Sequence, residues 1–266
     1  MYVTMPEWNG RMCNNFFQIA AILSFAKDNN HIPFFPDWSY NQFLKKSIPL
    51  KPNNLPAWNN LEYSFFYRET KFEYQPINLI RISDMQGNIA KIWGYYQSKK
   101  YWQNNSDYIH DIFTLNQSCH NIVDNKFNGL VYNKGIPCSI HVRRTDYLTL
   151  QQTFYILDKD YYNKAIESLG DKKDYLFLIF SDDIQYCKEL FKDLPNKVFI
   201  ENNIDIIDLF LMSKCEVNII ANSSFSWWGA ELNKNQSKKV FAPSEWFKKE
   251  SGLNTIDLYN PEWVDI

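Results

Sequence analysis

Residues 139–146 read Ser139-Ile140-His141-Val142-Arg143-Arg144-Thr145-Asp146, and the fold turns on how that run is taken. Ile140 and Val142 alternate as buried strand positions do, and Gly135 and Pro137 break the chain just before them. A plain core strand does not tolerate a histidine, two adjacent arginines and an aspartate. In an open α/β sheet, however, the carboxyl ends of the strands are where ligands sit. Arginine is the residue for a planar, bidentate grip on phosphate oxygens, so the run reads as an anion pocket for a diphosphate. Alternate residues of an extended segment share a face. That places His141 and Arg143 on one side and Arg144 and Asp146 on the other, so one arginine faces the ligand while the other pairs with Asp146 and holds the turn. The plainer reading is a structural Arg–Asp bridge beside a satisfied core histidine, and the rest of the chain has to decide.

Downstream the pattern is regular. A helix is expected from Asp160 through Leu169, a strand over 175–180 and a helix over 184–191. Then come a strand over 198–200, a helix over 204–212, a strand over 217–220, a helix opening within 221–230 and a strand over 240–242. Strands alternating with helices predict a parallel, doubly wound sheet. Three of its strand ends carry polar groups: His141 and Arg143, Ser181 and Asp182, and Asn222, Ser223 and Ser224. Hydroxyls and backbone donors ahead of a helix suit a phosphate, or are simply a cap. An aspartate at a strand tip, such as Asp182, suits a guanine edge or a ribose hydroxyl, or caps the next helix.

The first half is less regular. A strand over 2–4, a turn at Pro6–Arg11, a helix capped by Asn14 or Asn15 and running to Asp28, and a strand over 32–35 make a βαβ opening. Its helix start, with a single glycine before it, serves an anion or nothing at all. Residues 37–74 are aromatic, proline-dotted and unassigned. Strands are expected over 77–82 and 89–93, then a turn at Gly94-Tyr95-Tyr96-Gln97-Ser98 and helix over 101–115. The change of pattern across 125–135 is read as a boundary, giving domains 1–134 and 135–266, with the residues after about 244 packing back on the first.

With 266 residues and a net charge of −2, the chain carries no polyanion-binding face, and nucleic acid is not an expected partner. The 17% aromatic content suits both a core and stacking on sugars or a base. Five cysteines are scattered, with no C-x-x-C pair, which argues against zinc and against a complete disulfide framework. Neither a secretory signal pattern nor an apolar run of membrane-spanning length is visible. A cytoplasmic protein is expected, unless a surface patch holds it at the inner face of a membrane.

Taken together, the blocks resemble the α-1,2-fucosyltransferases, glycosyltransferase family 11. The resemblance rests on His141-Val-Arg-Arg-Thr-Asp146, on Gly94-Tyr-Tyr-Gln-Ser98, on Phe180-Ser-Asp-Asp183 and on Ile220-Ala-Asn-Ser-Ser-Phe-Ser-Trp-Trp-Gly-Ala-Glu231, in that family's motifs and spacing. It covers nearly the whole chain. The departure is Gly10-Arg-Met-Cys-Asn-Asn-Phe-Phe-Gln18, where Cys13 stands at a usual glycine while Asn14 and Gln18 are kept. The resemblance implies a GT-B-like α/β fold of two Rossmann-like domains with the active site in the cleft between them. It implies GDP-L-fucose as donor, inversion at the anomeric carbon, no cofactor and no metal, and a galactose-terminated glycan, free or lipid-linked, as acceptor. Donor binding then falls to His141, Arg143, Arg144, Ser181, Asp182, Asn222, Ser223 and Ser224. Arg143 and Asp146 are the expected catalytic pair, and Gly10, Asn14, Gln18, Tyr95 and Gln97 position sugar or acceptor. Metal independence is consistent with Arg143 supplying the counter-charge for the leaving diphosphate. The only D-x-D, Asp158-Lys159-Asp160, precedes a predicted helix and reads as a cap. Three rivals remain at this stage: a metal-dependent transferase using another nucleotide sugar, a non-catalytic carbohydrate-binding protein, and a nucleotide hydrolase, the last disfavoured by the lack of a P-loop.

Overall fold

The computed structural model describes residues 1–82 and 87–266, and the chain divides into Met1–Gln117 with Asn254–Leu258, and Ser118–Leu253 with Tyr259–Ile266. In the first unit the short apolar segment β1 (Tyr2–Thr4) leads to α1 (Met12–Asp28) and β2 (Ile32–Phe34). Helix α1 buries Phe16, Phe17, Ile19, Ala20, Ala21, Ile22, Leu23 and Ala26, residues on every side of it, as a core helix does. It begins earlier than the asparagines suggest. Gly10 reverses the chain with φ +75 and Arg11 takes the cap position in extended backbone, so Asn14 and Asn15 lie inside the first turns instead of capping them. At the other end Asn30, with φ +53, turns the chain out towards β2.

Strands β3 (Phe65–Arg68), β4 (Ile80–Arg81) and β5 (Ile89–Trp93) complete a sheet of order β2-β1-β5-β3-β4, parallel except for the β3–β4 pair. Strand β3 lies in the stretch that has no readable period: Phe65-Phe66-Tyr67-Arg68 puts aromatics on both faces. The strand expected over 77–82 shrinks to the two residues of β4. The helix expected over 101–115 is replaced by 3-10 turns at Lys99–Tyr101 and Gln103–Asn105 and a shorter α2 (Ser106–Ile112). Residues 254–258 belong here through Asp257, which accepts from the Tyr74 N–H (3.0 Å) and pairs with Lys100 (2.5 Å).

The second unit opens with α3 (Gln117–Val131), which runs through the region expected to hold the boundary. Only Cys119 and Val123 of this helix are buried, an apolar stripe too thin to read as amphipathic, and Asp124 ties it to Lys214 at 2.6 Å. There follow β6 (Ile136–Val142), α4 (Lys159–Glu167), β7 (Tyr175–Ser181), α5 (Ile184–Leu190) and β8 (Lys197–Phe199). The chain continues through α6 (Asp205–Met212), β9 (Val217–Ile219), α7 (Ser224–Glu231), β10 (Lys239–Ala242) and β11 (Val264–Asp265). The sheet is parallel throughout, in the order β11-β10-β9-β6-β7-β8. Because β11 pairs with β10, residues 259–266 stay with this unit. Strands β6 and β7 are buried on both faces, which explains their near-continuous apolar sequence. The register sets Val142 opposite Ser181 and Ile140 opposite Ile219, so the carboxyl ends of β9, β6 and β7 form one edge.

Candidate active site

On that edge the chain abandons extended geometry at once. Strand β6 stops at Val142, and Thr145 already has helical angles (φ −47, ψ −68) leading into a 3-10 turn at Asp146–Thr149. Side-chain alternation therefore does not carry past the strand, and the pairing it predicts is corrected: Asp146 pairs with Arg143, not with Arg144. The Arg143 guanidinium donates to Asp146 (2.5 Å) and to Asp182 (2.8 Å) and lies over the Tyr147 ring at 5.4 Å. Arg144 turns the other way, to Asp183 (3.3 Å) and over the Tyr186 ring (4.0 Å). Asp182 is the fixed point of the arrangement. Besides Arg143 it accepts from the Arg144 N–H (2.9 Å), the Thr145 N–H (3.2 Å) and the Thr145 hydroxyl (2.5 Å). Helix α5 is capped by its neighbour Asp183, which accepts from the Tyr186 N–H at 3.1 Å.

His141 is buried, with Nδ1 2.8 Å from the Ser226 hydroxyl, and its ring packs on Phe225. Ser226 also accepts from the Ala221 N–H at 3.1 Å, so the histidine secures the turn between β9 and α7. Burial, reinforced by the Arg143 charge and opposed by Asp182, pushes its pKa down to about 3. The ring is neutral at neutral pH and adds no cation to the site. Its effect on stability has a definite sign. Below about 6.5 the unfolded chain takes up a proton that the folded imidazole refuses until about 3, so stability falls as pH falls across that window, by up to roughly 1.4 kcal/mol per pH unit. Denaturant melts at pH 7 and pH 5 should show a smaller acid loss in His141→Gln than in the parent chain; an equal loss would refute the neutral, buried assignment.

The loop after β9 is built of polar side chains with structural partners. Asn222 is fully buried and its Nδ2 donates to the carbonyls of Tyr155 and Trp246, each at 2.9 Å, while its Oδ1 has no hydrogen-bond partner. Its backbone carbonyl accepts from the Tyr147 hydroxyl (2.8 Å), and Tyr147 stacks on Phe154 at 4.1 Å. Ser223 caps α7 by accepting from the Phe225 N–H (3.3 Å), and Ser224 opens the helix, half-buried. Ser181 accepts from the Asp183 N–H at 2.9 Å. The structure thus gathers Arg143, Asp146, Ser181, Asp182 and the Asn222–Ser224 turn on one edge, and adds Thr145 and Tyr147. Nothing in the sequence distinguishes Tyr147 from the chain's other tyrosines except its place in the turn after Arg143.

The other motif residues lie in the first unit. Gly10 suits this bend because its backbone is left-handed (φ +75) and a Cβ there would also come 2.9 Å from Asn14 Cβ. Asn14 accepts from the Gln97 side chain (2.9 Å), and Gln18 binds both backbone groups of Asn9, donating to its carbonyl at 2.9 Å and accepting from its N–H at 3.4 Å. Tyr95 is 45% exposed and Gln97 is buried. Cys13 sits in the first turn of α1, buried, where helical backbone does not require a glycine; the left-handed bend is at Gly10. Among the described residues no cluster of histidine, cysteine or carboxylate side chains is arranged to hold a metal ion. Asp158 caps α4, accepting from the N–H groups of Asp160 (3.0 Å) and Tyr161 (3.3 Å).

The sequence pattern of the family described as Glycosyl transferase family 11 matches residues 3–266. The chain is 32% identical over 228 residues to the O-antigen biosynthesis glycosyltransferase WbnK of Escherichia coli, covering 82% of this chain and 70% of that protein. It is 31% identical over 233 residues to the alpha-1,2-colitosyltransferase of Escherichia coli, with 84% and 78% covered. Mouse (Mus musculus) galactoside alpha-(1,2)-fucosyltransferase 2 is 22% identical over 240 residues, with 84% and 66% covered. Among solved structures, POFUT1 in complex with GDP superposes with a TM-score of 0.57 at 12% identity, covering 91% of this chain and 97% of that one. NodZ alpha-1,6-fucosyltransferase soaked with GDP-fucose gives a TM-score of 0.51 at 15% identity, covering 87% and 92%. At these identities the superpositions speak for the fold, which is GT-B-like.

Proposed function

Because the chain belongs to glycosyltransferase family 11, we propose that it transfers L-fucose from GDP-L-fucose to the 2-hydroxyl of a terminal galactose, with inversion and without a metal or other cofactor. The observation that carries this reading is Arg143, held at the carboxyl end of the central strand of a parallel sheet between two carboxylates. A guanidinium fixed in that place is a preorganised counter-charge for the diphosphate that leaves as the fucosyl bond breaks. Asp182, anchored by three further donors, keeps its hold on Arg143. The diphosphate then competes with Asp146 for the other edge of the guanidinium. Asp146, 37% exposed in its side chain, is freed to take the proton from the acceptor hydroxyl in a single displacement. Ser223, Ser224 and the start of α7 add neutral donors for phosphate oxygens, and Asp158 is occupied as a helix cap.

The relatives support a surface-glycan acceptor: one acts in O-antigen biosynthesis and another is named for galactoside α-1,2 transfer. The acceptor is then a galactose-terminated oligosaccharide, free or lipid-linked, met at the cytoplasmic face of a membrane. Among the described residues no helix is long and apolar enough to cross a bilayer. One relative is a colitosyltransferase, so a second reading keeps the α-1,2 linkage and replaces fucose with another deoxy sugar. The deciding experiment offers GDP-fucose and GDP-colitose, in excess EDTA, with a panel of galactose-terminated oligosaccharides, the products being analysed for linkage and anomeric configuration. Undiminished transfer of fucose to the 2-hydroxyl with inversion is the expected result. Transfer of colitose alone establishes the second reading, and loss in EDTA with rescue by Mn²⁺ overturns metal independence.

A further inference from the structure

Glu69 enters neither the motifs nor the anion pocket, yet its carboxylate is the most heavily engaged polar group next to Gly94–Ser98. It follows β3 directly, as Gly94 follows the adjacent β5, and its own N–H donates to the Trp93 carbonyl at 2.9 Å. The side chain folds over into the turn. There it accepts from the Tyr95 N–H (2.7 Å), from the Tyr96 N–H through both oxygens (3.1 and 3.2 Å) and from the Tyr101 hydroxyl (3.3 Å). Two consecutive backbone N–H groups converging on one carboxylate make an anion-binding nest. The turn is shaped for it. Tyr96 is left-handed at φ +55, an unfavourable conformation for an aromatic residue, and its ring is buried against Tyr67 and Tyr101. At Gly94 a Cβ would come 2.6 Å from Glu69 Cβ and 2.8 Å from the Tyr96 ring, so glycine alone lets the carboxylate in.

What the nest holds in place are the two side chains on either side of Tyr96. Tyr95 is left exposed, and Gln97 is delivered to Asn14, which in turn lies over Gly10. We propose that Glu69 is a positioning residue for the acceptor: its carboxylate sets the conformation of the 94–97 turn, and through it the placement of Tyr95, Gln97 and Asn14. This rests on the reading above in which those three residues contact acceptor or sugar. An ionised carboxylate is what two backbone donors and a tyrosine hydroxyl require, and an amide in its place must turn an NH₂ group against one of them.

The test is steady-state kinetics of Glu69→Gln with GDP-fucose and lactose as probes, beside Tyr95→Ala and Gln97→Ala, with calorimetric GDP titration and a thermal melt for each variant. A turn displaced by even an ångström is expected to raise the KM for lactose about tenfold or more, with donor KM and GDP affinity within twofold of the parent. A KM for lactose that stays within twofold in Glu69→Gln, while Tyr95→Ala or Gln97→Ala raises it, overturns the role of Glu69 and leaves the turn's role standing. Three variants that all transfer normally overturn the underlying reading of the turn instead. Equal losses for donor and acceptor in Glu69→Gln reduce the residue to a fold-wide structural part, and overturn the proposal. Should Glu69→Gln not fold, Gly94→Ala presses on the same contact from the turn side, and the same split between lactose and GDP decides.

Discussion

Arg143→Lys is expected to lower kcat by roughly 10²–10³-fold, the loss that follows removal of one preorganised oxyanion donor. The substitution keeps the positive charge, so a purely electrostatic, distance-tolerant role would leave turnover nearly intact. Geometry argues otherwise. Arg143 presents two separate nitrogens, one to Asp182 and one to Asp146, in the plane of a rigid fork. An ammonium group is a single point on a flexible stem and cannot satisfy Asp182 while also facing a diphosphate. The guanidinium also lies over Tyr147, a contact that an ammonium at the end of a shorter reach keeps poorly. The measurements are single-turnover rates with GDP-fucose and a melt to verify the fold. Near-parental rates in a folded Arg143→Lys protein would remove Arg143 from the chemistry and point to the α7 start as the source of charge compensation.

Asp146→Asn is expected to separate two properties that usually fall together. If Asp146 takes the acceptor proton, kcat drops by something on the order of 10²–10⁴-fold, the usual worth of a positioned base. GDP affinity should nevertheless hold or rise. One guanidinium now sits between two carboxylates, and the substitution removes the negative charge nearest the side that the diphosphate approaches. A bracing role gives the opposite pattern, with GDP affinity and melting temperature declining along with turnover. Calorimetric titration with GDP, run beside the kinetics, reads the two apart, and an unchanged kcat would place the base elsewhere.

Much of the second unit is legible in the sequence because its strands say one thing at every level. Tyr175–Ser181 and Ile136–Val142 are apolar runs of strand length closed by polar residues, and the helices after β7 and β9 open on capping residues that the structure uses, Asp183 and Ser223. Parallel, doubly buried strands have no alternation to misread. Where the sequence misleads, a specific competing effect is at work. Strand alternation pairs Asp146 with Arg144, but the strand ends at Val142 and Thr145 is helical, so the rule does not reach either residue. The pattern weakens across 125–135 because α3 is a helix whose outer surface is polar, and the two units divide at Gln117 instead. Strand β3 carries aromatics on both faces and shows no period at all. Of the candidate site, the clustering of three strand ends follows from chain order and parallel pairing. The neutrality of His141 and the immobility of Asp182 depend on burial and on partners 38 and 85 residues away in sequence, which no local pattern encodes.

The order β9-β6-β7 also bears on how the protein is made. Strand β6 is the first strand of its sheet to be synthesised, and it ends in the middle, with β7 on one side and β9 on the other. A nascent chain that has released residue 142 presents Ile136–Val142 with both backbone edges bare until residue 181 follows, and with one edge bare until residue 219 has left the ribosome. An apolar strand open on its edges is a template for pairing with any other chain, and long-range parallel pairing is slow to form even when the partners are present. The charged residues that follow the strand, Arg143, Arg144 and Asp146, are therefore on hand during synthesis, before its neighbours have paired with it. Flanking charge of this kind discourages association with neighbouring chains, so the residues proposed above for the diphosphate also place charge beside the strand while its edges are open.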